Sequence, residues 1–168
     1  MLLKAKVALV TGSTNNIGLG IARAFAREGA KVIVHSRHGD EAQKIAGEIG
    51  GDSFAADLAK PEEIQKLFSH IEMKHRRIDL LVNTVAHSAK NGILETTLDE
   101  WSRIMAINVT AYFLCIQRAA RMMQANGGGT IINISAASGE RGSPGTAAPT
   151  ASTTGSTAAA CEVMLEKK

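Results

Sequence analysis

VALVTGSTNNIGLG, Val7 to Gly20, carries three local signals in succession. Val7, Leu9 and Val10 form a short β-favouring run, and Gly12 interrupts it where a strand must turn sharply. A helical pattern follows. Ile17, Ile21 and Phe25, filled in by Ala22 and Ala26, recur at helical spacing, and Gly29 stands where a left-handed residue ends such a helix. The helix is therefore expected to start near Asn16 to Gly18. Unpaired N–H groups and the positive end of the helix dipole meet there, so the turn is expected to seat a phosphate on backbone donors, with Gly12 and Gly18 allowing close approach.

Working outward, four more apolar runs follow: Lys31 to His35 (KVIVH), Ser53 to Ala56, Asp79 to Asn83 (DLLVN) and Thr130 to Ser135 (TIINIS). Helical patterns separate them. Ala42, Ile45, Ala46 and Ile49 make one face; Ile64, Leu67, Phe68 and Ile71 make another, with Pro61 suited to a helix start. Trp101, Ile104, Met105, Tyr112, Cys115, Ile116 and Ala119 mark a longer helix, expected from near Asp99 to just before Gly127. Strands alternating with helices predict an α/β fold: a Rossmann-like, doubly wound parallel sheet of about five strands, with a ligand crevice at their carboxyl ends.

Composition sets bounds on this reading. The chain has 168 residues, is 45% hydrophobic and shows no Pro/Ser-rich linker before its last third, so residues 1 to 168 are expected to form one domain with a real core. From Gly142 to Ala160 the sequence is rich in Ala, Ser, Thr and Gly, which predicts a mobile stretch, and Ala158 to Lys168 reads as a short helix. The net charge of +3 is unremarkable. The opening MLLKAK and the absence of a long apolar run predict neither signal peptide nor membrane anchor, hence a cytoplasmic protein. Lys74, His75, Arg76 and Arg77 read as a solvated turn before a strand, not as a nucleic-acid surface. His35, His38, His70, His75 and His87 show no metal-ligand spacing, so no metal is expected, and they read as loop and surface residues. Cys115, on an apolar face, and Cys161 read as reduced thiols.

The pattern resembles the short-chain dehydrogenases/reductases, whose cofactor turn has the form Thr-Gly-x-x-x-Gly-x-Gly. Thr11, Gly12 and Gly18 match, and Asn16 stands at the middle glycine, a position Asn tolerates because it visits the left-handed region. Asp57 corresponds to the family's adenine-binding acid and Asn83 to the first residue of its Asn-Asn-Ala-Gly motif, the rest of which is Thr84, Val85 and Ala86 here. Ala86 thus places a methyl group where a cofactor ribose would approach. Asn108 matches the family's catalytic asparagine, which holds a water in a proton relay. The resemblance extends to about Gly155, and the family's last strands and substrate loop have no counterpart in this sequence.

It implies an oxidoreductase that reduces carbonyls or oxidises alcohols with a nicotinamide dinucleotide held by Gly12, Ser13, Thr14, Asn16, Ile17, Gly18, Ser36, Arg37, Asp57, Leu58, Asn83 and Ala86. Ser36 and Arg37 end the second strand, where an acid would favour NAD(H), and a hydroxyl followed by a guanidinium favours NADP(H). Asn15, often basic in NADP(H) enzymes of the family, adds no support. The family's catalytic serine, tyrosine and lysine fall on Ala136, Pro149 and Thr153, in a register kept by Gly139, Gly142, Pro144, Gly145, Ala151, Ser152 and Gly155. A lysine beside a tyrosine lowers a phenol pKa that is otherwise about 10, and proline and threonine cannot reproduce that pair. Ser135 should face away from the crevice, and Tyr112 reads as a core or interface aromatic. Three readings result: an oxidoreductase by ancestry, an inactive dinucleotide-binding or interaction protein, and a member without a function of its own. A fifth strand with an open edge, and the family's habit of pairing subunits, imply a homo-oligomer.

Overall fold

A computed structural model describes residues 1–89, 91–136 and 148–152. Its elements are β1 (Val7–Val10), α1 (Asn16–Arg27), β2 (Lys31–Ser36), α2 (Gly39–Ile49), β3 (Asp52–Ala55), α3 (Pro61–His75), β4 (Leu80–Asn83), α4 (Leu98–Met105), α5 (Ala111–Ala125) and β5 (Thr130–Asn133). The five strands form one parallel sheet in the order β3-β2-β1-β4-β5. That is the doubly wound α/β arrangement the alternation predicts. The strand order reverses direction at β1, so the crevice lies where β1 and β4 part at their carboxyl ends.

Period-two alternation sorts the buried strands onto two faces. Leu9, Ile33 and Leu81 pack with Ile64, Leu67, Phe68 and Ile71 of α3 and with Ala111, Cys115, Ile116, Ala119 and Met123 of α5. Val10, Val32, Val34 and Val82 pack with Ala22 of α1 and Ala42, Ile45 and Ala46 of α2. Leu9 lies level with Ile33 on one side and Leu81 on the other, so neighbouring strands send matching residues to the same face.

The helix ends follow their sequence signals. Pro61 opens α3, and Gly29 takes φ +91° just beyond α1. The strand predictions hold to within one or two residues: β3 spans Asp52–Ala55 rather than Ser53 to Ala56, β4 starts at Leu80, and β5 ends at Asn133. The long helix predicted from near Asp99 is not uniform. Thr97 caps it by accepting the Glu100 N–H, α4 follows, and one wide π turn, Ala106–Thr110, separates α4 from α5. The expectations for the Gly142 to Ala160 stretch, the terminal helix and Cys161 fall largely or wholly outside the described residues.

Candidate dinucleotide site

The crevice at the carboxyl ends of β1, β2, β3 and β4 has a volume of about 530 Å³. Its floor is the turn after β1. Asn16 sits at φ +44°, the left-handed conformation that makes Asn an acceptable stand-in for glycine there. Gly12, at φ +64°, is required for its conformation, and Gly18 for space: a Cβ at Gly18 would lie 2.3 Å from the Gly12 carbonyl oxygen and 2.8 Å from Thr84 Oγ1. The close approach is thus within the protein, between the turn, the first turn of α1 and the segment after β4. Thr11 and Thr84 lock these pieces together. The Thr84 hydroxyl donates to the Thr11 carbonyl, and the Thr84 N–H donates to Thr11 Oγ1.

Two of the turn's N–H groups are spent internally. Gly12 N–H donates to His35 Nδ1 at 3.1 Å and Ser13 N–H to the His35 carbonyl at 2.9 Å. The donors left for an anion belong to the first turn of α1, whose start carries no side-chain cap and whose residues Asn16, Ile17 and Gly18 line the crevice beside Asn15. Ile17 is 59% exposed there, so its side chain faces the crevice instead of joining the apolar face of the helix.

His35 corrects the reading of the histidines as loop and surface residues. It is the next-to-last residue of β2, is 1% exposed and lies beneath the turn. Because Gly12 donates to Nδ1, the ring proton sits on Nε2 and donates to the Ala56 carbonyl at 3.1 Å. Burial pushes its pKa down to about 4, against the opposing pull of the Ala56 carbonyl and Asp57, so the ring is neutral at pH 7. A histidine that directly follows the apolar run of Val32, Ile33 and Val34 within a parallel strand is covered on both faces, which is the signal that marks it as buried. His70 and His75 also depart from that reading: each bonds to the buried carboxylate of Asp52. The basic run does lie at an exposed turn: α3 ends at His75, Arg76 takes the left-handed conformation, and Lys74 and Arg76 face solvent, although Lys74 also pairs with Asp52 and Arg77 with Asp79.

Of the residues expected to hold a cofactor, Gly12, Thr14, Asn16, Ile17, Gly18, Ser36, Arg37, Asp57, Leu58 and Ala86 line the crevice. Ser13 and Asn83 lie behind its wall. Ser13 Oγ accepts the His35 N–H, and Asn83 Nδ2 donates to Asn133 Oδ1. Asn108 is also behind the wall, in the π turn: its amide exchanges two bonds with the backbone of His87 and donates a third to Ser152 Oγ at 2.9 Å. It therefore pins the segment after β4. Sequence reasoning missed Glu41, which accepts from Thr14 Oγ1 at 3.3 Å and Ser36 Oγ at 3.5 Å across the crevice mouth, and His38, His87, Ile107 and Ile134, which complete the lining.

Tyr112 and Cys115 offer no proton chemistry at neutral pH. Burial pushes both groups up to about 12, and the Tyr112 hydroxyl donates to the Ile134 carbonyl. Of the positions aligned with the family's catalytic set, Ala136 and Pro149 are described, and Pro149 accepts the Ser152 hydroxyl proton on its carbonyl. Thr153 lies outside the described residues.

A five-stranded parallel sheet with an uncapped helix start facing a crevice at the strand-order reversal defines an α/β domain of the doubly wound, Rossmann-like class. The comparisons narrow the class. The short chain dehydrogenase family model matches residues 6–166. A 3-oxoacyl-[acyl-carrier-protein] reductase of Synechocystis is 35% identical over 151 residues, covering 86% of this chain and 61% of the relative. An NADP-dependent (R)-specific alcohol dehydrogenase of Lentilactobacillus kefiri is 35% identical over 147 residues, covering 84% and 58%. The crystal structure of a metagenomic short-chain oxidoreductase in complex with NADP superposes with a TM-score of 0.89 at 32% identity, covering 94% of this chain and 74% of that one. The chain belongs to the short-chain dehydrogenase family. It spans about three-fifths of the length of the two curated relatives. No helix among the described residues is long and apolar enough to cross a membrane.

Proposed function

We propose that this chain binds a nicotinamide dinucleotide in the crevice, NADP(H) in preference to NAD(H), as the cofactor domain of an oxidoreductase acting on a small carbonyl or alcohol. The uncapped first turn of α1 at the crevice floor carries this reading: its N–H groups and dipole end suit the pyrophosphate. Asp57 and Leu58, at the far side, suit the adenine. Ser36 and Arg37, at the end of β2, suit a 2′-phosphate through a hydroxyl and a forked guanidinium. Glu41 opposes that preference, because its carboxylate shares Ser36 and Thr14 and has to yield them to a phosphate.

Ala136, Pro149 and Thr153 favour a second reading, in which the domain binds the dinucleotide without turning it over. Asn108, bonded to His87 and Ser152, holds structure in place of a water relay. The test is a calorimetric titration with NADPH beside NADH. NADPH is expected to bind more tightly. Arg37→Ala should weaken it about tenfold, the worth of one charge-assisted hydrogen bond, and leave NADH unchanged. Binding of neither cofactor would overturn the reading. Turnover assays on the same protein with a panel of ketones and secondary alcohols then separate the active reading from the inactive one.

A further inference from the structure

Asp52, His70 and His75 meet at the end of the sheet opposite the crevice. Asp52 is the first residue of β3 and is buried, while His70 and His75 come from the second half of α3, which packs over that strand. Asp52 Oδ2 accepts from His70 Nε2 and from His75 Nε2, each at 2.8 Å, and Oδ1 accepts from Lys74 Nζ at 2.5 Å and from Ser53 N–H at 2.9 Å. The three atoms that could ligate all lie within 4.8 Å of one another. The rings are held in place. His75 is nearly buried, His70 packs at a tilt against Phe54 with ring centroids 5.0 Å apart, and the two imidazoles meet edge to face at 6.4 Å.

We propose that Asp52 Oδ2, His70 Nε2 and His75 Nε2 form a three-ligand site for a divalent transition ion of the Zn²⁺ type. Two imidazoles and one carboxylate are a borderline donor set that suits Zn²⁺, Co²⁺ or Ni²⁺ and not the all-oxygen preference of Ca²⁺ or Mg²⁺. Bond lengths of about 2.0–2.2 Å place ligands of a tetrahedral ion roughly 3.3 Å apart, so each ring has to retreat about half an ångström from the carboxylate. The carboxylate is ready to bind. Burial alone would raise its pKa, yet the hydrogen bonds from Lys74, His75, His70 and Ser53 hold it well below the usual carboxylate range. Both imidazoles now present Nε2–H to it. Each becomes a ligand when that proton moves to Nδ1 of the same ring, so neutral histidines suffice and no net proton release is required.

Lys74 is the competitor. Its ammonium holds Oδ1 and repels an incoming cation, but its side chain is 53% exposed and swings out into water at little cost, leaving the fourth ligand position to a solvent molecule. Ion binding would clamp β3 to the end of α3, at the foot of the strand whose upper end leads to Asp57. This inference does not depend on the cofactor reading, because the two sites lie at opposite ends of β3.

The test is titration of the whole chain with ZnSO₄ in a non-coordinating buffer, read by calorimetry and by thermal melts with and without the ion. One equivalent is expected to bind and to raise Tm. His75→Ala should weaken binding about tenfold or more through loss of a ligand, and Lys74→Ala should tighten it roughly tenfold through removal of the adjacent charge. His75→Gln serves if the alanine variant fails to fold, since an amide still donates to Asp52 but is a poor ligand. No saturable uptake by the wild type and by Lys74→Ala would show a hydrogen-bonded network alone and overturn the proposal. Uptake unchanged by His75→Gln and His70→Ala would place the ion elsewhere and overturn it equally.

Discussion

At the residue scale, the crevice depends on small, specific accommodations rather than on a string of donors. Asn16 takes the left-handed conformation that a glycine would otherwise supply, and His35 uses one neutral ring to bridge the turn after β1 and the segment after β3. Gly18 has the least room. Adding a methyl group there drives it into the Gly12 carbonyl, which is backbone, and the Thr84 hydroxyl, which is held by its bond to the Thr11 carbonyl, so neither side gives way cheaply. Gly18→Ala is therefore expected to cost about 1–3 kcal/mol of stability, the usual range for overpacking, and to abolish dinucleotide binding by displacing the first turn of α1. Thermal melting and an NADPH titration check the two effects separately. A variant with the wild-type Tm and the wild-type NADPH affinity would mean that the turn relaxes around the added carbon.

At the scale of elements, legibility followed from how local each signal was. β1, α1, β2 and α3 could be read from apolar periodicity and end residues, because their partners impose the same pattern on every residue. The π turn could not: an extra residue in one turn shifts the apolar phase between Ile104 and Tyr112 without leaving a mark in composition. Nor could the meeting of Asp52 with His70 and His75, since it arises only when α3 packs on β3. The crevice-lining residues after β1 and β2 were legible because one segment supplies each of them; Glu41 was not, because it reaches across from α2. Asp79 shows the same non-local logic at the foot of β4. Its buried carboxylate accepts the Val7 N–H at 2.9 Å and pairs with Arg77 and Lys6, joining the starts of β1 and β4. Asp79→Ala leaves the Val7 N–H without its acceptor and is expected to cost about 2–4 kcal/mol in urea unfolding. Dinucleotide affinity of the folded protein should remain within about twofold, since the anchor lies at the far end of the sheet from the crevice. A loss of affinity as large as the loss of stability would show that the strands shift as one body.

For the molecule as a whole, buried titratable groups make stability depend on pH in two stages. His35 is the first. In the unfolded chain it titrates near its ordinary value of 6.5, whereas burial lowers it to about 4 in the folded protein. Between those values the unfolded state binds a proton that the folded state refuses, so its contribution is complete above pH 6.5 and is lost progressively as the pH falls toward 4. The difference amounts to about 3 kcal/mol, taking about 1.4 kcal/mol per pH unit. Asp79 is the second. Burial alone would raise its pKa, but Arg77, the Val7 N–H and Lys6 hold it below the usual carboxylate range, so its contribution is present above about pH 4 and is lost as the pH falls further. Urea unfolding at pH 7.5, 5.5 and 4.5 should therefore show stability already falling in the range where carboxylates remain ionised. His35→Asn removes the titrating ring and should lower stability at pH 7.5 while flattening the slope between pH 6.5 and 4. Equal slopes for wild type and variant would mean that the ring protonates in place, and that the turn after β1 survives with a charged imidazole beneath it.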